Sequence, residues 1–287
     1  MADGDLTSTG WPAPAKLNLF LHVIGRRRDG YHLLQTVFQF VTLADQLDFQ
    51  LCDDGRILRH ADYDDIPPDA DLAVRAARLL QVDSRCRFGA GISIRKKVPT
   101  GGGLGGGSSN AATTLVALNR LWQTGYSSED LAGLGLQLGA DVPIFIHGQA
   151  AWAEGVGEEF TPVEPEEPWY LILQPDCEVS TATVFASADL TRHTPAITIR
   201  DFLAHGGHND CEPVVRNLYP KVAAAMDWLG EHAEARMTGT GACVFAAFSS
   251  YDAAERVRNR IPREFTGYVC KGSNRSLLLE RLGREVT

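Results

Sequence analysis

The order of segments in this 287-residue chain predicts an α+β fold in two domains. Three observations carry the prediction. Strand-like apolar runs at 11–23, 33–43 and 47–51 all precede the first helical pattern at 71–80, whereas a doubly wound sheet would alternate strand and helix. A proline-acid stretch, Thr161-Pro-Val-Glu-Pro-Glu-Glu-Pro168, reads as a boundary between two halves. The second half then runs β-α-α-β-α-β, the order of a small sandwich of helices on an antiparallel sheet. The predicted domains are residues 1–164 and 165–287.

Residues 1–10 read as a polar, disordered tail. In the strand that follows, Leu17, Leu19, Leu21 and Val23 alternate on one face, and Lys16, Asn18, Phe20 and His22 share the other. Residues 25–32 form a turn rich in positive charge, and 52–71 an acidic surface connection. Leu72, Ala76, Leu79 and Leu80 mark the first helix. A strand over 91–98 contains Arg95-Lys96-Lys97, which places three positive charges before a glycine loop. After that loop, Ala111, Leu115, Leu118 and Trp122 recur at helical spacing, with Ser108 or Ser109 as N-cap. Ser128 caps a helix over 129–138, and Asp141 stands where that helix hands over to the apolar strand Ile144-Phe-Ile146. Residues 148–157 give a short strand and turn.

In the second half, 169–173 is a strand and 181–188 a short helix capped by Ser180 or Thr181. Residues 210–232 are mostly helix, interrupted at Pro213 and Pro220. Residues 237–246 are a glycine turn feeding a strand, 252–260 a helix, and 268–270 the last strand.

Composition removes several classes. Hydrophobic content of 44% and charged content of 22% suit a globular protein. A net charge of −9 argues against a general nucleic-acid surface, and an anionic substrate would need a local basic site. No apolar run is long enough to cross a bilayer and no secretory leader is evident, so a cytoplasmic protein is expected. The six cysteines, at 52, 86, 177, 211, 243 and 270, form no C-x-x-C pair and read as free buried thiols.

The informative stretch is 99–112, Pro-Thr-Gly-Gly-Gly-Leu-Gly-Gly-Gly-Ser-Ser-Asn-Ala-Ala, between a strand and a helix. Glycines let a ligand approach the main chain closely, and the free N–H groups of the helix start, with its dipole, face that ligand. Such a site binds phosphate. It is not a P-loop, since Lys-Ser/Thr does not follow Gly107. The dinucleotide pattern at Gly101, Gly103 and Gly106 is one that any such run of glycines satisfies, and no acidic strand end follows at the required distance. A flexible linker would be flanked by polar coil instead.

Lys16 on its strand, the 99–112 loop and Thr238-Gly-Thr-Gly-Ala242 together resemble the three motifs of the GHMP kinases, the galactokinase–homoserine kinase–mevalonate kinase superfamily. Pro14-Ala-Lys-Leu-Asn-Leu-Phe-Leu, Gly30-Tyr-His, Gly103-Leu-Gly-Gly-Gly-Ser-Ser-Asn-Ala-Ala, Gly139-Ala-Asp-Val-Pro and Thr238-Gly-Thr-Gly-Ala-Cys-Val-Phe narrow the resemblance to the branch acting on a CDP-linked methylerythritol. It spans 11–274. The resemblance implies an N-terminal ribosomal-protein-S5-domain-2-like domain carrying the ATP loop and catalytic residues, and a C-terminal ferredoxin-like domain closing the substrate cleft. It implies ATP with Mg²⁺, a monomer or homodimer, and phosphorylation of a tertiary hydroxyl. Asp141 would be the general base, Lys16 would hold Asp141 ionised and polarise the hydroxyl, and Asn18 would position it. Pro99, Thr100, Gly101, Gly102, Gly103, Leu104, Gly105, Gly106, Gly107, Ser108 and Ser109 would cradle ATP, with Ser108 or Ser109 near the metal. Tyr31 and Phe185 would lie on either face of the cytosine and His32 would bond its edge. The chain departs from the family pattern at Asp71, where related sequences carry asparagine near the adenine pocket, and at Leu277, where they carry proline. A homoserine- or mevalonate-type kinase is the alternative, opposed by Tyr31-His32 and by Gly105-Gly-Gly-Ser-Ser-Asn110. A regulator without catalysis is opposed by the presence of both Lys16 and Asp141.

Overall fold

The computed structural model describes residues 7–60 and 66–284. Two long antiparallel strands, β1 (Thr7–Arg26) and β2 (His32–Cys52), form the spine. The second is one continuous strand where two were expected: β1 pairs along it from Gln50 to His32, skipping Val41–Leu43 at a register shift. β1 also takes in Thr7–Gly10, which the sequence assigned to a tail; the Gly10 N–H donates to Asp48 Oδ1 at 2.6 Å. The rest of that expected tail lies outside the described residues.

β2 also pairs with β4 (Gly89–Arg95), β5 (Ala151–Glu154) and β10 (Phe265–Ser273). β3 (Ile57–Arg59) joins β4 in parallel, within the stretch read as a surface connection, and β6 (Glu159–Pro162) pairs with β5. In the second half β7 (Trp169–Pro175) lies between β10 and β9 (Val244–Phe248), and β8 (Arg236–Met237) pairs with β9. Because β10 pairs with both β2 and β7, the two halves share one sheet of ten strands among the described residues.

In the first half, α1 (Leu72–Ser84) and α2 (Gly106–Leu121) cover the sheet, joined by α3 (Ser128–Leu136) and α4 (Val142–His147). Their apolar faces pack Leu80, Leu115, Leu118 and Phe145 on Trp11, Phe40 and Phe49. Ser127, one residue before the expected cap, closes the capping box of α3 with Asp130. α4 stands where a strand was expected. An apolar run of this length carries no decisive period; Pro143 suits a first turn and Gly148, at φ +66°, ends the helix.

The second half contributes α5 (Thr181–Ala186), α6 (Ile199–His205), α7 (Glu212–Leu218), α8 (Pro220–Gly230) and α9 (Tyr251–Arg258). Pro213 and Pro220 sit in the first turns of α7 and α8, which is why one helical stretch became two. α10 (Leu277–Arg284) returns to the first half, where Leu278 enters its core. A third cluster, with Leu17 and Val37 from the first half and Ile172 and Phe245 from the second, fills the junction.

The glycine loop is seated at that junction. Cys243 N–H donates to Gly102 C=O at 3.1 Å, joining the loop to the second-half turn. A Cβ on Gly103 would lie 2.6 Å from Thr238 O, and the residue has φ +75°. Gly103→Ala therefore strains the backbone and forces the turn away. Strain of this kind costs roughly 1–3 kcal/mol, so the variant should melt several degrees lower in a calorimetric scan. An unchanged melting temperature would show that the loop is not clamped.

Candidate active site

Lys16 and Asn18 project from β1 between two irregularities in its pairing, at Pro14/Lys16 and Asn18/Leu21. Bulges re-aim side chains, and the second one corrects the simple alternation. Lys16, Asn18 and Leu21 line a cleft of about 540 Å³. Phe20 and His22 turn to the other side, where Phe20 stacks on Phe202 at 4.9 Å and packs against Trp152.

Lys16 is buried, with a side chain 4% exposed. Its ammonium donates to Asn18 Oδ1 at 2.6 Å and Gly103 O at 3.1 Å, lies 3.4 Å from Asp141 Oδ2, and sits 5.1 Å from the Phe38 ring centre. Asn18 is fixed in turn. Its Nδ2 donates to Thr36 Oγ1, and its backbone N–H donates to Thr238 Oγ1 of the second half. Asp141 directly precedes α4, yet its carboxylate makes no capping bond. Its side chain is 36% exposed and opens to the cleft, so solvent or a hydroxyl reaches it.

The loop meets these residues through main chain. Lys16 N–H donates to Leu104 C=O at 3.1 Å. Gly101, Gly103 and Gly105 have φ near +70° to +75°, a region open chiefly to glycine. α2 begins at Gly106 with Gly105 as N-cap, three or four residues before the expected serines. Ser109 N–H closes the first helical bond, to Gly105 C=O. The preceding N–H groups of Gly106, Gly107 and Ser108 are those a helix leaves without intrahelical partners, and all three residues line the cleft.

Of the residues expected at the ATP loop, Pro99 through Ser108 line the cleft and Ser109 does not. Ser109 is buried, and its hydroxyl donates to Pro14 C=O at 2.7 Å. The basic triplet also divides. Arg95 pairs with Asp48, whereas Lys96 lines the cleft with its ammonium 2.6 Å from Asp45 Oδ2. Asp45 is fully buried and accepts the Lys97 and Val98 N–H groups as well.

Near the start of α2 the cleft is lined by Ala70, Asp71, Leu72 and Lys96. Asp71 caps α1 through Oδ1 to Ala73 N–H, and its Oδ2 is 3.2 Å from Arg59 Nη1. The acid is therefore paired with a cation. Toward the second half the lining includes Leu34, Thr181, Phe185 and Thr240.

Tyr31 and His32 do not line the cleft. Tyr31 is 65% exposed at the tip of the β1–β2 hairpin. His32 stacks on the Phe185 ring at 5.0 Å and 24°, so it covers one face of that ring. Sequence reasoning passed over Asn110, which lines the cleft and whose buried amide oxygen has no partner among the described residues. Its only signal was its place one turn into the helix after the glycines.

All six cysteines are free; Cys211, Cys243 and Cys270 are buried, and the other three are half-buried. Burial pushes the Cys243 thiol, beneath the loop, up to about 12.

The model of the GHMP kinases N terminal domain matches residues 71–149, and that of the GHMP kinases C terminal domain matches 191–267. The 4-diphosphocytidyl-2-C-methyl-D-erythritol kinase of Nitrosococcus oceani is 58% identical over 95% of this chain and 97% of its own. That of Alkalilimnicola ehrlichii is 56% identical over 97% and 96%. A crystal structure of 4-(cytidine 5'-diphospho)-2C-methyl-D-erythritol kinase superposes with a TM-score of 0.80 at 30% identity, over 93% of this chain and 99% of that one. Homoserine kinase from Cytophaga hutchinsonii, at 16% identity and a TM-score of 0.68, shares the fold. Identity this high over nearly the whole length settles kinship: the chain belongs to the GHMP kinases, and within them to the family of 4-diphosphocytidyl-2-C-methyl-D-erythritol kinases.

Proposed function

We propose that this enzyme transfers the γ-phosphoryl group of ATP to the 2-hydroxyl of 4-diphosphocytidyl-2-C-methyl-D-erythritol, giving the 2-phosphate in non-mevalonate isoprenoid synthesis. The observation that carries the reading is the buried Lys16 ammonium, 3.4 Å from the open Asp141 carboxylate, beside a glycine-lined helix start. Phosphoryl transfer needs positioning and charge neutralisation more than covalent help.

The residues fit ATP. The N–H groups at the start of α2 and its dipole favour the phosphates, Lys96 adds a cation, and the glycines leave room for close approach. They also fit Mg²⁺, which is held largely by phosphate oxygens with one or two protein ligands. With the Ser109 hydroxyl committed to Pro14, Ser108 would be the residue to contact it. The metal would neutralise charge on the phosphates.

Asp141 accepts the proton of the substrate hydroxyl as the new O–P bond forms; the bond from the γ-phosphorus to its bridging oxygen breaks and ADP leaves. Lys16 polarises the same hydroxyl, and Asn18 holds Lys16 in place. Cytosine stacks on the face of Phe185 that His32 leaves uncovered, with Tyr31 closing over it from the hairpin. His32 then backs the platform. In this reading residues 1–164 hold ATP and the acceptor hydroxyl, and residues 165–287 close the cleft over the nucleotide of the substrate. In this reading cradle, cation, base and platform come from one chain, which acts as a monomer or homodimer in the cytoplasm.

A coupled ADP-release assay with the CDP-alcohol, homoserine and mevalonate tests the substrate. Turnover is expected with the CDP-alcohol alone; comparable turnover of either other alcohol overturns the reading. Asp141→Asn keeps the shape but cannot take the proton, so kcat should drop about 10²–10⁴-fold with ATP still bound by calorimetry. Activity within a few-fold of wild type would remove Asp141 as base. Lys16→Met should lower kcat by about 10²–10³-fold. It should also weaken ATP a few-fold, because the ammonium holds Gly103 C=O; loss of ATP binding with kcat preserved would place Lys16 in the phosphate site alone. Phe185→Ala should raise KM for the CDP-alcohol about ten- to a hundredfold, the worth of one base stack, leaving KM for ATP unchanged. Equal effects on both substrates would make Phe185 a packing residue.

A further inference from the structure

Arg192 lies outside the residues lining the cleft, yet its guanidinium makes four hydrogen bonds. Nη2 donates to Phe185 O at 3.0 Å and Ser187 O at 2.6 Å, and Nη1 to Leu190 O at 3.1 Å. These wrap the backbone at the end of α5, the helix that carries Phe185. The fourth bond crosses to the other half of the molecule: Nε donates to His32 Nε2 at 3.2 Å. His32 begins β2 directly after Tyr31, and its ring is the one stacked on Phe185.

We infer that Arg192 is a positioning residue for the substrate base: a latch that holds His32 against Phe185, and with it the hairpin tip bearing Tyr31 at a set distance from the platform. The inference rests on the reading that Phe185 receives the cytosine. The latch depends on a protonation state. A guanidinium only donates, so the bond exists only while His32 Nε2 is an unprotonated acceptor, which leaves the ring proton on Nδ1. Protonated His32 has no acceptor and sets a cation against a cation. The charged groups facing His32 are Arg192, from the segment after α5, and Arg26, from the end of β1; Phe185 brings none. Burial, then Arg192, then Arg26 hold the His32 pKa below 6.5. The latch is therefore closed at neutral pH and is lost as pH falls through that lowered value.

Steady-state kinetics of wild type, Arg192→Gln and Arg192→Ala from about pH 5 to about pH 8, across the histidine range, test this. In wild type, KM for the CDP-alcohol should rise roughly three- to tenfold on the acid side, the worth of a hydrogen bond, and KM for ATP should not follow it. Arg192→Gln should flatten that rise, because an amide can donate to neutral histidine or accept from the protonated ring. Arg192→Ala should show the raised KM already at neutral pH, with kcat retained. Melting curves confirm folding, and proton NMR follows His32 in the enzyme without substrate. Its pKa should move up toward the ordinary value in both variants. A pKa that stays in place, or equal losses in kcat and both KM values, overturns the latch. A pKa that moves while KM for the CDP-alcohol does not overturns the base site on Phe185 and leaves the latch as a contact between halves.

Discussion

Backbone meeting backbone at Gly102–Gly105 is the constraint on which the rest of the molecule depends. Within four residues, Gly102 C=O accepts from Cys243 of the second half, Gly103 C=O accepts from the Lys16 ammonium, and Leu104 C=O accepts from the Lys16 backbone. Each such bond contributes about 0.5–1.5 kcal/mol net. Their geometric effect is larger, because one short loop thereby fixes β1, the start of α2 and the second glycine turn against one another. A Cβ on Gly105 would fall 2.7 Å from Phe145 and 3.3 Å from Lys16 Cε. The glycines therefore do two jobs: they leave the loop's main chain open along the cleft, and they let the loop reach the walls that hold it.

The shared sheet makes that seat rigid. β10 runs beside β7 for most of its length and reaches β2 with Gly272 and Ser273, opposite Val41 and Phe40. Asn209 strengthens the same junction from the second half, donating to the carbonyls of Met237 and Gly239. The glycine turn that touches Asn18 is thus carried by residues of the second half that also bridge to Leu21 of β1. Thr238 reaches Asn18 across this seam, so the placement of Asn18 and of the Lys16 ammonium it holds depends on both halves being together.

Charge is handled locally. The chain carries a net −9, yet its cleft concentrates Lys16 and Lys96 against one carboxylate each. The partners differ in a way that separates their roles. Asp45 is buried and saturated by Lys96 and two backbone N–H groups, so it can only hold that lysine in place. Asp141 shares its lysine with Asn18 and Gly103, makes no cap bond, and stays open to the cleft. A carboxylate with free lone pairs beside a buried cation is the arrangement that a proton transfer at a hydroxyl requires.

The amino-acid sequence by itself determined which residue types meet at the cleft: a run of glycines before a helix, a lysine and an asparagine two apart on one strand, and an aspartate just before Val-Pro. It also set much of the order of strands and helices, because hydrophobic period and proline placement are local signals; the helix at Val142–His147 and the short strand at Ile57–Arg59 escaped it. Tertiary structure alone decided how these were aimed. The bulge after Asn18 turned Phe20 and His22 away from the cleft, since pairing with β2, and not alternation, sets register. Burial against Pro14 spent the Ser109 hydroxyl and left Ser108 at the helix start. Packing on Leu115 and its neighbours made Ile144-Phe-Ile146 a helix, and stacking on Phe185 set the His32 ring against one face of that phenyl ring. Each of these choices turns on a partner between about 20 and 150 positions away, and no local pattern of residue types encodes which partner a side chain will meet.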